Sequence, residues 1–86
     1  IDLREQNELD KIGKIKNSMR ISFPEINDYL NKNKSELRNK KVLFYCAIGQ
    51  RSTLAVQISK SYQYNKCLHL IGGLKNWLHA GLDLVK

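Results

Sequence analysis

Apolar positions along the chain fall into short blocks separated by polar, lysine-rich stretches. Ile1-Asp2-Leu3 opens the sequence as a short apolar run that reads as a strand. Residues 5–12 carry acids near their start and have Leu9 and Ile12 three apart, the spacing of one helical face. Residues 19–23 (Met, Arg, Ile, Ser, Phe) alternate apolar and polar, the period of a half-buried strand. Pro24 suits the first turn of a helix, whose inner face would carry Ile26, Tyr29, Leu30 and Leu37. Residues 31–41 are polar and read as surface.

Val42-Leu43-Phe44-Tyr45 is a continuous β-prone run, the signature of a strand buried on both faces in the middle of a parallel sheet. A turn follows from Cys46 to Gln50. Beyond it, Leu54, Ala55, Ile58 and Tyr62 share one helical face. Residues 68–71 read as a further strand, stopped by Gly72-Gly73. Residues 74–80 predict a short helix with Trp77 and Leu78 inward, and Gly81 stands where a helix-ending glycine belongs. Strand and helix thus alternate four times. That order predicts an α/β fold of three layers, a mainly parallel central sheet with right-handed crossovers and helices on both faces.

Length and composition narrow the picture. The 86 residues form one small domain, 42% hydrophobic and 27% charged, which is globular rather than disordered composition. No apolar run approaches the roughly 18–20 residues of a membrane span, and no secretory signal pattern is present. Two cysteines, Cys46 and Cys67, are too few for a disulfide scaffold, so reduced thiols in the cytoplasm are expected. The chain begins at Ile1, inside what reads as a core strand, and its one methionine is Met19. A preceding segment or a larger parent protein is therefore expected. The net charge of +7 could attract nucleic acid, but eight asparagines accompany the lysines and no basic stripe is interleaved with aromatics. The basic residues read as solvated faces, with no specific nucleic-acid partner and no membrane.

The candidate chemistry lies where open α/β sheets place it, beyond the carboxyl end of the most buried strand. The run is Cys46-Ala47-Ile48-Gly49-Gln50-Arg51-Ser52-Thr53. A thiol at a helix N-terminus meets the positive end of the dipole and unpaired amides, which favour thiolate. An ordinary thiol near pKa 8.5 is only about 3% ionised at pH 7, whereas one lowered to about 6.5 is roughly 75% ionised. Gly49 permits a left-handed backbone, so that successive N–H groups converge as an anion-binding nest. Arg51 adds a cation able to clamp an oxyanion with two parallel bonds. The Ser52 hydroxyl can donate to sulfur. A cysteine alone at a strand end would read as a core residue. Glycine, arginine and serine at these offsets turn the reading towards function.

This loop resembles the C-x-x-G-x-R-[ST] active-site loop of the rhodanese family. Three more stretches agree in order: Ile1-Asp-Leu-Arg-Glu5 is similar to the family's opening IDVRE, Gly13-Lys-Ile15 with residues 19–22 to its GHIPGAINI, and Gly72-Gly73-Leu-Lys-Asn-Trp77 with Gly81 to its GGxxAW…G. Lys14, Lys16 and Asn17 stand where that second motif has His, Pro and Gly. The resemblance implies a rhodanese-like fold of about five strands, its N-terminal strand missing from this chain, with the strands present in the order 2-1-3-4. It implies a sulfurtransferase in which Cys46 takes sulfane sulfur as a persulfide from thiosulfate or an organic or protein persulfide. The sulfur then passes to a thiophilic acceptor, a thiol or a cyanide-like anion. The amides of Ala47, Ile48, Gly49, Gln50, Arg51 and Ser52 would hold the persulfide or the donor's oxyanion.

Two alternatives remain open. The chain can serve as a sulfur-relay or docking module of a larger protein, with the same chemistry. Cysteine-dependent phosphatases need five residues between cysteine and arginine to surround a phosphate; here four intervene, a ring suited to one extra sulfur. The loop carries a single charge, so an organic persulfide fits as well as thiosulfate, unless Lys14 or Lys16 reaches the rim. Cys67 reads as core rather than a resolving thiol, and His69 and His79 as structural. Asp2 and Arg4 either brace the loop or form a structural ion pair. Trp77 reads as a core anchor. No spacing suits zinc, and no cofactor is implied.

Overall fold

The computed structural model describes residues 1–86. Strand β1 (Val42–Phe44) pairs in parallel with β2 (Cys67–His69), Val42 opposite Cys67 and Phe44 opposite His69. Two extended segments widen the sheet through single parallel bridges, Asp2 with Tyr45 on one side and with Arg20 on the other. The Leu3 N–H donates to the Tyr45 carbonyl at 2.9 Å and the Ile21 N–H to the Asp2 carbonyl at 2.9 Å. Across the sheet the order is therefore 19–21, 1–3, 42–45, 67–69, the 2-1-3-4 order that the resemblance implies. The helices are α1 (Gln6–Ile12), α2 (Ile26–Lys32) after a 3-10 turn at Phe23–Glu25, α3 (Lys34–Leu37), α4 (Gln50–Ser61) and α5 (Gly73–His79). No helix is long and apolar enough to cross a membrane.

Alternation along the strands sorts the layers. Leu3, Val42 and Phe44 join Ile26, Leu30, Leu37 and Ala55 in one apolar core under α2, α3 and α4. Asp2 and Tyr45, one position along, face the other layer. There Asp2 and Arg4 are 0% and 1% exposed and form a closed pair. Arg4 donates from Nε to Oδ1 at 3.0 Å and from Nη2 to Oδ2 at 2.7 Å. Its Nη2 also reaches the Gly13 carbonyl at 2.8 Å. The Tyr45 hydroxyl donates to Asp2 Oδ2 at 2.8 Å and meets Ser18 Oγ at 2.8 Å. Burial, chiefly, and the neighbouring Asp2 raise the Tyr45 phenol above its ordinary value, against the hydrogen bonds from Ser18 and the Ile15 amide. Of the two readings of Asp2 and Arg4, the structural ion pair is the one formed.

Several elements differ from the pattern in the sequence. On α4 the buried positions are Ser52, Ala55 and Ser59, whereas Leu54 is 47% exposed and Tyr62 half-buried. Small side chains let the helix approach the sheet closely, and the buried hydroxyls bond back to the carbonyls of Gly49 and Val56. Leu43 is 44% exposed, so β1 is covered on one face only at that position. The polar stretch 31–41 contains α3, whose Leu37 is buried. On α5 the buried residues are Gly73 and Leu74; Leu78 is half out, and Trp77 is half-buried with its Nε1 donating to the Asp83 carbonyl. The predicted strand 19–23 shrinks to its middle, because Phe23 begins the 3-10 turn. The strand 68–71 is realised as Cys67–His69, and Ile71 lies outside it, exposed. Asn17 adopts φ +66°, at the position where the resemblance has glycine, and asparagine is among the side chains that tolerate it best.

Breaking a buried pair leaves an uncompensated charge, so Asp2→Ala is expected to lower the unfolding free energy by roughly 3–5 kcal/mol. Tyr45→Phe, which removes one donor but leaves Arg4 paired, is expected to cost about 1–2 kcal/mol. Urea unfolding of both variants measures this. Equal stability of Asp2→Ala and wild type would show that the pair contributes nothing.

Candidate functional site

The loop between β1 and α4 turns inward on its own sulfur. Cys46 is 1% exposed at the carboxyl end of the strand. Gly49 takes φ +102°, a left-handed conformation that side chains resist, and this aims its N–H back at Cys46 Sγ, 3.1 Å away. Ser52, on the first turn of α4, is fully buried with its Oγ 3.8 Å from Sγ. The thiol's proton affinity reflects a contest. Burial raises it, but the Ser52 amide and hydroxyl and the amides of Gly49 and Arg51 outweigh burial and hold it below the ordinary value. The expected activation of Cys46 thus comes from oriented dipoles of the nest and helix N-terminus.

Amides that point at sulfur leave the loop carbonyls pointing away, and α5 collects them. The Leu74 N–H donates to the Cys46 carbonyl at 2.9 Å and the Lys75 N–H to the Ala47 carbonyl at 3.0 Å. The approach is too close for any side chain at Gly73. A Cβ there would lie 2.5 Å from the Cys46 oxygen and 2.7 Å from the Ala47 carbonyl carbon. Gly73 of the closing motif therefore belongs to the cysteine loop.

Arg51 has a partner the sequence did not name. Its two terminal nitrogens each donate to Glu8 of α1 at 3.0 Å, a bidentate pair about one-third exposed. Glu8 first, and the Cys46 sulfur after it, raise the guanidinium's hold on its proton, while burial opposes them. The Arg51 bond is likewise the leading cause that lowers the Glu8 carboxyl. In this structure Arg51 ties α4 to α1 beside the loop.

A cleft of about 340 Å³ opens over this loop, lined by Ile12, Ala47, Ile48, Leu74 and Leu78 with Arg4, Glu8, Lys11 and Lys75. Lys11 and Lys75 are the cations at its rim. Lys14 lies in a different depression with Gly13 and Val85, bridged antiparallel to Val85, and Lys16 lines neither. Cys67 is buried in the core of β2, and both cysteines are free. His69, read as structural, is brought to the loop, its Nδ1 3.4 Å from Ser52 Oγ. The four-residue strand pattern alone hid this; the parallel register that sets His69 against Phe44 brings it beside the loop. Gln50 begins α4 and is exposed, and Ile48 is 54% exposed at the loop tip. No three His, Cys, Asp or Glu side chains cluster closely enough to hold a metal ion.

Comparison with known proteins agrees with this arrangement. The sequence model of the Rhodanese-like domain family matches residues 1–80. Mouse (Mus musculus) thiosulfate sulfurtransferase/rhodanese-like domain-containing protein 3 is 30% identical over 88 residues, spanning 91% of this chain and 56% of that protein. The chain thus spans a little over half the length of that curated relative. Among solved structures, a rhodanese-related protein from Thermoplasma volcanium is 34% identical with a TM-score of 0.81, covering 99% of this chain and 80% of that one. A protein of unknown function from Rhodopseudomonas palustris, described as a possible tyrosine phosphatase, is 27% identical with a TM-score of 0.88, covering 98% and 67%.

The contact at Gly73 yields a test with an internal control. Gly73 and Gly81 both have positive φ, at +62° and +81°, but a Cβ on Gly81 meets nothing within 4 Å. Gly81→Ala is expected to cost only the left-handed strain, about 1 kcal/mol. Gly73→Ala adds overpacking against the loop and is expected to cost roughly 2–4 kcal/mol. Thermal or urea unfolding of the two variants decides it, and equal losses would mean that the loop and α5 are not in tight contact.

Proposed function

This chain belongs to the rhodanese-like domain family, and from that membership and the geometry of the Cys46 loop we propose that it is a sulfurtransferase working through a Cys46 persulfide. The observation that carries the reading is the Gly49 amide 3.1 Å from Sγ at the head of α4, on a loop with four residues between Cys46 and Arg51. The Cys46 thiolate attacks the outer sulfur of a donor R–S–SH. The donor's S–S bond breaks, RS⁻ leaves with the electron pair, and Cys46–S–SH remains. With thiosulfate the leaving group is sulfite. An acceptor thiolate then attacks the terminal sulfur, and Cys46 returns as thiolate. The amides of Ala47 to Ser52 supply hydrogen bonds to the anionic sulfur, where dipoles fixed in advance need not reorganise.

The cleft supports a particular donor. Five apolar side chains line it, and Lys11 and Lys75 stand at its edge. An organic persulfide with an apolar body and an acidic group fits that lining better than thiosulfate, which is all charge. A docked protein persulfide, as in a sulfur relay within a larger protein, would use the same walls. Phosphatase chemistry is the weaker reading for this chain: the ring is one residue short, and the arginine that would hold a phosphate is bonded to Glu8.

Intact mass after incubation with thiosulfate, an acidic organic persulfide and an aryl phosphate tests the proposal. One added sulfur atom is expected on wild type and on Cys67→Ser, with faster loading from the organic persulfide. Cys46→Ser should carry none. Loading on Cys46→Ser equal to wild type, or turnover of the aryl phosphate, would contradict the reading.

A further inference from the structure

Ser52 has one hydroxyl hydrogen and three polar neighbours. Its Oγ lies 3.2 Å from the Gly49 carbonyl, 3.8 Å from Cys46 Sγ and 3.4 Å from His69 Nδ1. The carbonyl can only accept. The sulfur, once a thiolate or a persulfide anion, can also only accept. The imidazole nitrogen is the one partner that can do either. With a hydrogen on Nδ1, His69 donates to the Ser52 oxygen, and the hydroxyl proton is left to the Gly49 carbonyl and the anionic sulfur alone. With Nδ1 bare, His69 becomes a further acceptor for that single proton. Ser52 is fully buried, so no water replaces the donor that sulfur then loses.

We infer that His69 is a positioning residue for the Cys46 anion, acting through the Ser52 hydroxyl, and that its hydrogen on Nδ1 turns that hydroxyl towards the sulfur. The inference deepens the sulfurtransferase reading and rests on it for the persulfide; for the thiolate it needs the geometry alone. The position of His69 fits the role. β2 holds its backbone in register with Phe44, and the ring is half-buried beside a groove open to solvent. The titratable groups that share its groove are Lys60 from α4 and Cys67 from its own strand; β1 presents only Val42, Leu43 and Phe44. Lys60 is exposed and Cys67 buried, so Lys60 carries the only full charge there.

The test follows the Cys46 Cβ chemical shift against pH in the whole chain, in wild type, His69→Phe, His69→Asn, Ser52→Ala and the double variant Ser52→Ala/His69→Phe, with Lys60→Gln as the charge control. His69→Phe is expected to raise the Cys46 midpoint by roughly 0.5 to 1 on the pH scale, the size of one modest hydrogen bond to an anion. His69→Asn keeps a side-chain N–H near the place of Nδ1 and should restore the midpoint by at least half of the shift; it also serves if the phenylalanine variant is unstable. In the Ser52→Ala background the effect of His69→Phe should vanish, and Lys60→Gln should leave the wild-type curve in place. An unchanged midpoint in His69→Phe and His69→Asn, or an equal shift with and without Ser52, would overturn the inference. Coupling without sulfur loading would refute the sulfurtransferase reading and leave this one standing; loading without coupling would do the reverse.

Discussion

A backbone that turns its amides towards one sulfur must turn its carbonyls elsewhere, and most of the site follows from where those carbonyls go. Buried carbonyls need donors. Those of Cys46 and Ala47 find them in the first turn of α5, and that turn reaches them only because residue 73 has no side chain. The loop is thereby held from two sides, by α4 growing out of it and by α5 pressed on its outer edge. The guanidinium of Arg51, on the first turn of α4, is the full charge near the sulfur, and its two terminal nitrogens are bonded to Glu8. The thiolate is favoured by several small oriented dipoles that together exceed the penalty of burial.

The charged residues near the site serve mainly to fix geometry. Glu8 closes the N-terminus of α1 by accepting from the Glu5 amide, and the same carboxylate holds Arg51. One acidic side chain therefore ties the start of α1 to the start of α4. On the same side of the sheet, Asp2, Arg4, Tyr45 and Ser18 satisfy one another in the interior. Tyr45 immediately precedes Cys46, so this network anchors the strand end from which the loop departs. What faces incoming molecules is different in kind: an apolar cleft with lysines at its margin.

Much of this was legible in the residues. The loop motif, the closing glycines, the parallel order and the buried run at 42–45 are local patterns with one simple reading each. The relation between the two glycine-bearing motifs was not, because a contact between residues 46 and 73 is set by chain topology and leaves no periodic trace. Helix faces failed for a related reason. Apolar periodicity placed Leu54, Ala55, Ile58 and Tyr62 on one face of α4; close packing keeps Ala55 and buries Ser52 and Ser59 with it, whose hydroxyls donate to the carbonyls of Gly49 and Val56. Arg51 was read by its charge, and its partner Glu8 lies forty-three positions away. His69 lies seventeen positions from Ser52 and was hidden likewise: only parallel pairing of β1 with β2 brings it there.

The central claim is that amides converging on Cys46 hold it as a thiolate, and nuclear magnetic resonance can observe those amides directly. With the Cys46 Cβ shift and the Gly49 amide proton followed together from acid to alkaline pH, Cys46 is expected to ionise below the ordinary thiol value of about 8.5. The sign follows from the lowered proton affinity: above the folded midpoint the anion is present and the N–H···S⁻ bond is strongest. The Gly49 amide proton should therefore move downfield with the same midpoint as Cys46, and the movement should be absent in Cys46→Ala. A midpoint at or above the ordinary value, with a Gly49 amide that ignores the ionisation of Cys46, would contradict the account.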